Sequence, residues 1–179
     1  MSVTVKAGFN KYEFNFRKFK KALDVAAQRQ RDHAIREFIT TVLSNVPVLT
    51  GESAGTLLPL GRLTRIKMAT AINSYISRGR ANAKGRDGWD RPGGAERGAG
   101  KASASLVGSE GSANYGFTWE MDVRHFAINN FNAMNYKNGQ KPTPWEAIEK
   151  GVNAFNDYMA RYAIDDLPDF DTFIEERRT

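Results

Sequence analysis

Apolar positions near the start of the chain change from a period of two to a helical period. Residues 2–9 alternate between apolar and polar or small, which predicts a short strand with Val3, Val5, Ala7 and Phe9 on one face. Over 16–44 apolar residues recur every three or four positions, which predicts a long amphipathic helix. Asn15 is the expected N-cap, and Phe14 and Phe19 occupy the two positions of a hydrophobic staple.

This helix is expected to end at the stretch VPVLTG. Pro47 disfavours helical geometry in the residue before it, and Gly51 can adopt a positive φ. We therefore predict a stop followed by a sharp structural turn at Pro47, Thr50 and Gly51. Within the helix, Gln30 and Arg31 stand where large apolar side chains are expected, so the helix either extends past the core there or contacts a neighbouring subunit.

The middle of the chain gives weaker signals. In residues 56–78, Pro59 and Gly61 indicate that regular structure starts only near Leu63, and we predict a helix over 64–77. Residues 79–114 hold nine of the sixteen glycines and few large apolar groups. Such a composition cannot offset its ordering entropy, so it predicts a long flexible loop or insertion.

Strict alternation of apolar and polar residues then returns over 115–125, which predicts a strand. The apolar residues change to the other set of alternate positions near Arg124–Phe126, which predicts a bulge there. The stretch TPWE predicts a helix start, with Thr143 as the cap, Pro144 in the first position and Glu146 completing a capping box. The apolar stripe of this helix comprises Trp145, Ile148, Val152, Phe155, Met159 and Tyr162.

These elements predict a single α+β domain over 1–179, in which a small antiparallel sheet packs against a long N-terminal helix and a C-terminal helix. Residues 165–179 form an acidic tail with six acidic residues and two arginines. The chain has no cysteine, which excludes disulfides and thiolate metal sites. Neither a signal peptide nor a membrane helix is expected from the sequence.

Charge is unevenly distributed along the chain. The net charge is +6, and outside the acidic tail there are 24 basic and 14 acidic groups. Residues 78–101 contain seven basic and three acidic groups interspersed with glycine. A basic body fits a nucleic acid or an acidic protein as partner, although a solvated surface explains the same charges. The residues that could face DNA from the loop are Arg80, Lys84, Arg86, Arg91, Arg97 and Lys101.

Candidate catalytic groups are sparse. His33 lies in a predicted helix beside Asp32 and has no serine nearby in sequence. His125 ends an apolar strand face, where a structural histidine is favoured over a catalytic base. Glu120 and Asp122 share a strand face, as paired nuclease carboxylates would, but a solvent-facing side explains them equally well. The glycine-rich loop lacks the Gly-Lys-Ser/Thr of a phosphate cradle. We therefore predict no catalytic, metal or cofactor site.

With these elements placed, VPVLTG resembles the Pro-Val-Asp-Thr-Gly turn of tail-completion and neck components of long-tailed bacteriophages. The resemblance rests on Pro47, Thr50 and Gly51, and more weakly on Trp119, Phe126 and Pro144. In that family a long helix leads into the turn, a variable loop and a strand follow, and a C-terminal helix closes the domain.

The resemblance implies a structural virion protein of the head–tail junction rather than an enzyme. Copies would assemble in the host cytoplasm as a cyclic ring that joins connector or adaptor proteins to the tail tube protein. A hexamer and a dodecamer are the two candidate copy numbers. DNA would pass non-specifically through the lumen, and no membrane or cofactor would take part. The alternative is a basic nucleic-acid-binding protein that uses the loop over 79–101; a small hydrolase is a third possibility.

Overall fold

The computed structural model describes residues 12–46, 52–83, 102–109, 114–121, 144–162 and 167–176. The strand predicted over 2–9 and the bulge near Arg124–Phe126 lie outside these ranges. Within them the predicted α+β class is confirmed: a long N-terminal helix and a C-terminal helix accompany small antiparallel sheets. The elements, in chain order, are β1 (Tyr12–Phe14), α1 (Phe16–Asn45), α2 (Glu52–Gly55), α3 (Leu58–Leu63), α4 (Ala69–Ala83), β2 (Ala102–Val107), β3 (Gly116–Met121), α5 (Pro144–Tyr162), a 3₁₀ turn (Phe170–Phe173) and β4 (Ile174–Glu176).

The predicted start of α1 is confirmed in detail. The side chain of Asn15 accepts a hydrogen bond from the backbone N–H of Lys18 at 3.0 Å. The rings of Phe14 and Phe19 lie 5.5 Å apart, as a hydrophobic staple requires. The cap satisfies a backbone donor that the first helical turn leaves free, and the staple fixes the direction in which the chain enters α1.

The end of α1 also follows its sequence. Helical geometry continues to Asn45, and Val46 turns extended with φ −82° and ψ 122°. This is the backbone region to which a following proline confines a residue. The predicted turn residues beyond it, Pro47, Thr50 and Gly51, lie outside the described part of the chain.

The structure corrects the prediction for residues 56–78. Regular structure does not start near Leu63, because α2 and α3 precede it. Pro59 is tolerated because it lies in the first turn of α3, where no intrahelical N–H partner is lost. The predicted helix over 64–77 begins later, at Ala69, after a connection in which Lys67 adopts a φ of 52°.

The predicted loop over 79–114 is wrong at both ends. Residues 79–83 belong to α4, and residues 102–107 form β2, which pairs antiparallel with β3. On one face of this hairpin, Ala104 lies opposite Trp119 and Leu106 lies opposite Phe117. Ala104 thus leaves space for the large ring of Trp119, whereas Leu106 and Phe117 are both large. The predicted alternation in β3 is confirmed over 116–121.

Helix α5 runs antiparallel to α1 and packs closely on it. The contact is close because Gly151 faces Val42 and Phe38, where a Cβ atom would come within 2.5 Å and 2.9 Å of their side chains. The predicted apolar stripe is wrong at Val152, which is 43% exposed. The small residues Ala147 and Gly151 form the buried centre of the helix face instead.

One hydrophobic core connects these helices. Its largest fully buried side chains come from α1, from the α2–α3 region and from α4: Ile35, Phe38, Ile39, Val42, Val46, Leu57, Leu60 and Ile72. Phe117 and Trp119 of the hairpin cover Phe38, at ring distances of 5.0 Å and 5.7 Å. The core therefore starts about halfway along α1, and the first half of that helix lies outside it.

Candidate assembly surface

A layer of buried polar residues marks the point where α1 enters the core. Gln30, Arg31 and Asp32 are only 8%, 4% and 2% exposed. The Gln30 amide donates to the carbonyl of Met159 on α5 at 3.1 Å. The first sequence alternative is confirmed in part: the half of α1 before Gln30 lies outside the core, whereas Gln30 and Arg31 themselves are enclosed by this chain's own elements.

Arg31 and Asp32 join three parts of the fold. The guanidinium of Arg31 lies 3.2 Å from the Asp32 carboxylate and donates to the carbonyl of Val107 at the end of β2 at 3.4 Å. Asp32 also accepts from the backbone N–H of Arg65, in the connection before α4, at 3.3 Å. A buried charge is tolerated only when it is paired and hydrogen-bonded, and this pair meets both conditions.

A second unit is built at the other end of α1, and we call it the terminal arm: residues 12–22 together with residues 167–176. Strands β1 and β4 pair antiparallel, with Phe14 opposite Ile174. The backbone N–H of Asn15 donates to the carbonyl of Phe173 at 2.8 Å, and Lys18 forms an ion pair with Glu175. Part of the predicted acidic tail is therefore a structured partner of the start of α1.

Four phenylalanines form the centre of the terminal arm. Phe19 packs against Phe170 and Phe173 at ring distances of 4.6 Å and 5.4 Å, and Phe14 stacks on Phe170 at 5.6 Å. Aromatic pairs in this distance range contribute beyond the area that they bury. The arm is therefore a small ordered unit with its own aromatic cluster, separate from the main core.

A shallow groove lies along α4, and the residues that line it are Thr70, Asn73, Ser74, Ser77 and Arg78. On the neighbouring face of α4, the hydroxyl of Tyr75 donates to the carbonyl of Val46 at 3.1 Å. Burial raises the pKa of Tyr75 above its ordinary value, and the positive charge of Arg78 partly opposes the shift. This bond fixes α4 to the end of α1, next to the predicted turn.

Most of the site residues predicted from the sequence lie outside the described ranges. This holds for the turn residues Pro47, Thr50 and Gly51 and for the basic loop residues Lys84, Arg86, Arg91, Arg97 and Lys101. Arg80 lies in the last turns of α4, and only its backbone is described. The structure thus brings none of these side chains together in the part that it describes.

The catalytic candidates can be placed in part. The ring of His33 is nearly parallel to that of Tyr158, with centroids 6.2 Å apart and an angle of 19° between the planes. Glu120 is exposed on β3 and accepts from Ser103 at 3.4 Å, while His125 and Asp122 lie outside the described ranges. No group of three or more potential metal ligands occurs in the described ranges, and none of the helices there is long and apolar enough to cross a bilayer.

Comparison with known proteins identified no relative. No protein-family model matches the chain, and neither a curated protein nor a solved structure is similar to it at a significant level.

The sequence analysis missed both the polar layer and the terminal arm. A signal for the arm was present, because Phe14 and Phe19 were recognised as a staple while Phe170 and Phe173 recur in an otherwise acidic segment. A signal for the polar layer was also present, as polar residues at apolar positions of α1. What the sequence did not indicate is how distant the partners are: those of the polar layer lie 33, 76 and 129 residues away, and Glu175 of the arm lies 160 residues from Asn15.

Proposed function

We propose that this protein is a structural virion component of the head–tail junction of a long-tailed bacteriophage, in the tail-completion or neck class. Copies assemble as a closed ring that joins the connector side to the tail tube, with DNA passing through the lumen. The protein acts in the virion, by contacts with other copies and with neighbouring phage proteins, and not by catalysis.

One observation carries this proposal: the long helix α1 ends directly before the Pro-x-x-Thr-Gly motif, and α5 folds back along it. Val46 leaves helical geometry one residue before Pro47, and α5 packs on α1 through Gly151. This order of a long helix, a turn motif, a strand and a closing helix is the order that the sequence resemblance implies. The order of the elements supports the proposal as an architecture. The Pro-x-x-Thr-Gly motif connects that architecture to this class of phage protein.

The terminal arm adds support of a different kind. A ring protein needs surfaces that stay available in the monomer and become buried in the assembly. Phe16 and Phe170 are 64% and 61% exposed, which is high for such large apolar side chains. Apolar groups that cluster at the surface mark interaction sites more often than those scattered singly.

Light scattering on the purified protein tests the proposal against its alternative. A ring predicts a mass that is a large multiple of the 20.0 kDa chain, at or near six or twelve copies. The nucleic-acid-binding alternative, which uses residues 79–101, predicts a monomer or dimer. A stable monomer or dimer across a wide range of concentration would therefore contradict the ring.

A further inference from the structure

We propose that residues 12–22 form a binding site for an acidic strand that carries phenylalanines, and that residues 167–176 of a second copy of this chain are the partner it fits. We call residues 12–22 the receiving surface and residues 167–176 the terminal segment. In this structure the chain's own terminal segment occupies the site. The inference rests on the proposed function only for its setting, a ring, and adds the contact that joins neighbouring copies.

The terminal segment binds the receiving surface in the way that an extended peptide ligand does. β4 adds to β1 as an antiparallel strand, and the backbone N–H of Asn15 donates to the carbonyl of Phe173 at 2.8 Å. The rings of Phe170 and Phe173 lie 4.6 Å and 5.4 Å from that of Phe19. Main-chain pairing at a strand edge, together with side-chain contacts beside it, is a common mode of peptide recognition.

The charges of the two surfaces are complementary. The terminal segment carries four acidic residues and no basic one, and the receiving surface carries four basic residues and one acidic one, all of them in the described ranges. Lys18 forms an ion pair with Glu175, and the side-chain amide of Asn15 donates to the same carboxylate at 3.2 Å. Electrostatics therefore favours a terminal segment on a receiving surface over two like surfaces in contact.

The terminal segment is held weakly enough to leave the site. None of its residues is buried, and none belongs to the hydrophobic core. The side chains of the Lys18–Glu175 pair are 65% and 39% exposed, and ion pairs at such positions contribute little to stability. Segments with few buried contacts open locally while the rest of the protein stays folded. The site can therefore be vacated without unfolding the core.

A second copy can supply the same ligand. Each contact named above joins the terminal segment to the receiving surface, so the terminal segment of another copy can make the same contacts. Exchange of an identical element between copies is a low-cost route to association. In a ring the neighbouring receiving surface is held close by, which raises its effective concentration. Each copy offers one terminal segment and one receiving surface, and heterologous contacts of this kind generate rings or filaments.

Disulfide trapping distinguishes exchange between copies from docking within one copy. The chain has no cysteine, and Tyr12 lies opposite Glu176 in the β1–β4 register, so one cysteine at each position reports this contact. Copies with Tyr12→Cys alone are mixed with copies that carry Glu176→Cys alone, oxidised mildly and separated by non-reducing electrophoresis. We expect a covalent dimer of the two variants, with its disulfide between positions 12 and 176, in large excess over the dimers that either variant forms alone.

The matched control uses Glu149→Cys, at an exposed position of α5 outside the contact, in place of Glu176→Cys. Mixed with Tyr12→Cys, it should give only the background of chance collisions. Thermal melts of the reduced variants by circular dichroism verify that all three are folded. A mixture of Tyr12→Cys and Glu176→Cys that cross-links no more than this control would overturn the proposal.

A labelled peptide with the sequence of residues 167–176 gives a second measurement, on the wild-type protein. We expect its fluorescence anisotropy to rise with protein concentration and to saturate, with an affinity reduced by the fraction of sites that the chain's own segment occupies. Glu175→Lys in the peptide should weaken binding to the wild type and restore it on a Lys18→Glu protein. Binding no stronger than that of a scrambled peptide would contradict the proposal.

These measurements separate the inference from the proposed function. A closed ring without disulfides between positions 12 and 176 of different copies would leave the ring and remove the exchange. Such disulfides found in dimers or open filaments would keep the exchange and contradict the closed ring.

Discussion

Asp32 connects more elements of the fold than any other single carboxylate described above. It pairs with Arg31 and accepts from the backbone of Arg65, at a position where α1, β2 and the α3–α4 connection meet. Both side chains of the pair are at most 5% exposed. Removing one partner of such a pair leaves an uncompensated buried charge, and this sets the cost of a substitution.

We expect Asp32→Ala to lower the free energy of unfolding by about 3–5 kcal/mol. The control is Glu37→Ala, which removes the partner of Arg36 from a largely exposed pair and should cost about 0–1 kcal/mol. Urea denaturation of the two variants measures the difference. Equal losses would show that the Arg31–Asp32 pair is not buried in solution.

The ionisation of Tyr75 makes the free energy of unfolding depend on pH. Its pKa is raised by burial, so the neutral hydroxyl is favoured in the folded state. The contribution of Tyr75 to the free energy of unfolding is complete below the ordinary tyrosine pKa of about 10. It is lost as pH rises through the higher pKa of the folded state, because Tyr75 ionises first in the unfolded chain. At neutral pH we expect Tyr75→Phe to cost about 0.5–1.5 kcal/mol through the lost bond to Val46.

Comparing the wild type with Tyr75→Phe at alkaline pH checks the direction in which stability changes with pH. The difference in unfolding free energy between the wild type and Tyr75→Phe should shrink as pH rises above about 10. Other tyrosines titrate in both proteins and cancel in the difference. A difference that grows with pH would mean that burial does not hold Tyr75 neutral.

At the scale of elements, the packing of α5 on α1 depends on Gly151. Glycine to alanine within a helix would normally stabilise by up to about 1 kcal/mol. Here the added Cβ would meet Phe38 and Val42 at distances that real atoms do not adopt. Overpacking of this kind costs about 1–3 kcal/mol, so the steric effect exceeds the propensity gain.

We therefore expect Gly151→Ala to lower the thermal midpoint. Gly116→Ala is the matched control, because a Cβ there would have no neighbour within 4 Å. Circular dichroism melts of both variants give the measurement. A Gly151→Ala protein as stable as the wild type would show that α1 and α5 lie further apart.

Elements with strong local signals could be predicted from the sequence, and those defined by distant partners could not. The start of α1 was predictable because the cap and the staple are local. β2 was not predicted, since its inward face consists of Ala102, Ala104 and Leu106 in a glycine-rich region, and it becomes a strand by pairing with β3. α3 was missed because Gly61 looks like a helix breaker, whereas its missing side chain makes room for Ile72.

The candidate site follows the same division. The basic loop is visible in the sequence through its composition, and the turn is visible through its motif. The terminal arm depends on β4 pairing with β1 from the opposite end of the chain, a contact that no periodicity within either segment reveals. Long-range pairing of this kind is fixed by tertiary packing and not by local propensity.

At the scale of the whole molecule, the positive charge predicts weak contact with DNA. In a ring, tight binding would hinder passage of the genome, so we expect the free protein to bind duplex DNA weakly, without sequence preference, and to release it by physiological salt. Each phosphate contact adds about −0.9 to the salt slope. Neutralising Arg86, Arg91 and Arg97 should abolish the binding and leave the ring mass unchanged.

Fluorescence anisotropy over a salt series, with two unrelated duplexes, makes this measurement. Nanomolar, sequence-selective binding at physiological salt would contradict the structural function and favour the nucleic-acid-binding alternative.

Electron microscopy of the purified protein in negative stain tests the central claim most directly, because it distinguishes a closed ring from every other assembly of the same mass. The proposed function predicts class averages of closed rings with a central opening wide enough for duplex DNA. Open filaments, compact particles without an axial opening, or isolated single chains would contradict it.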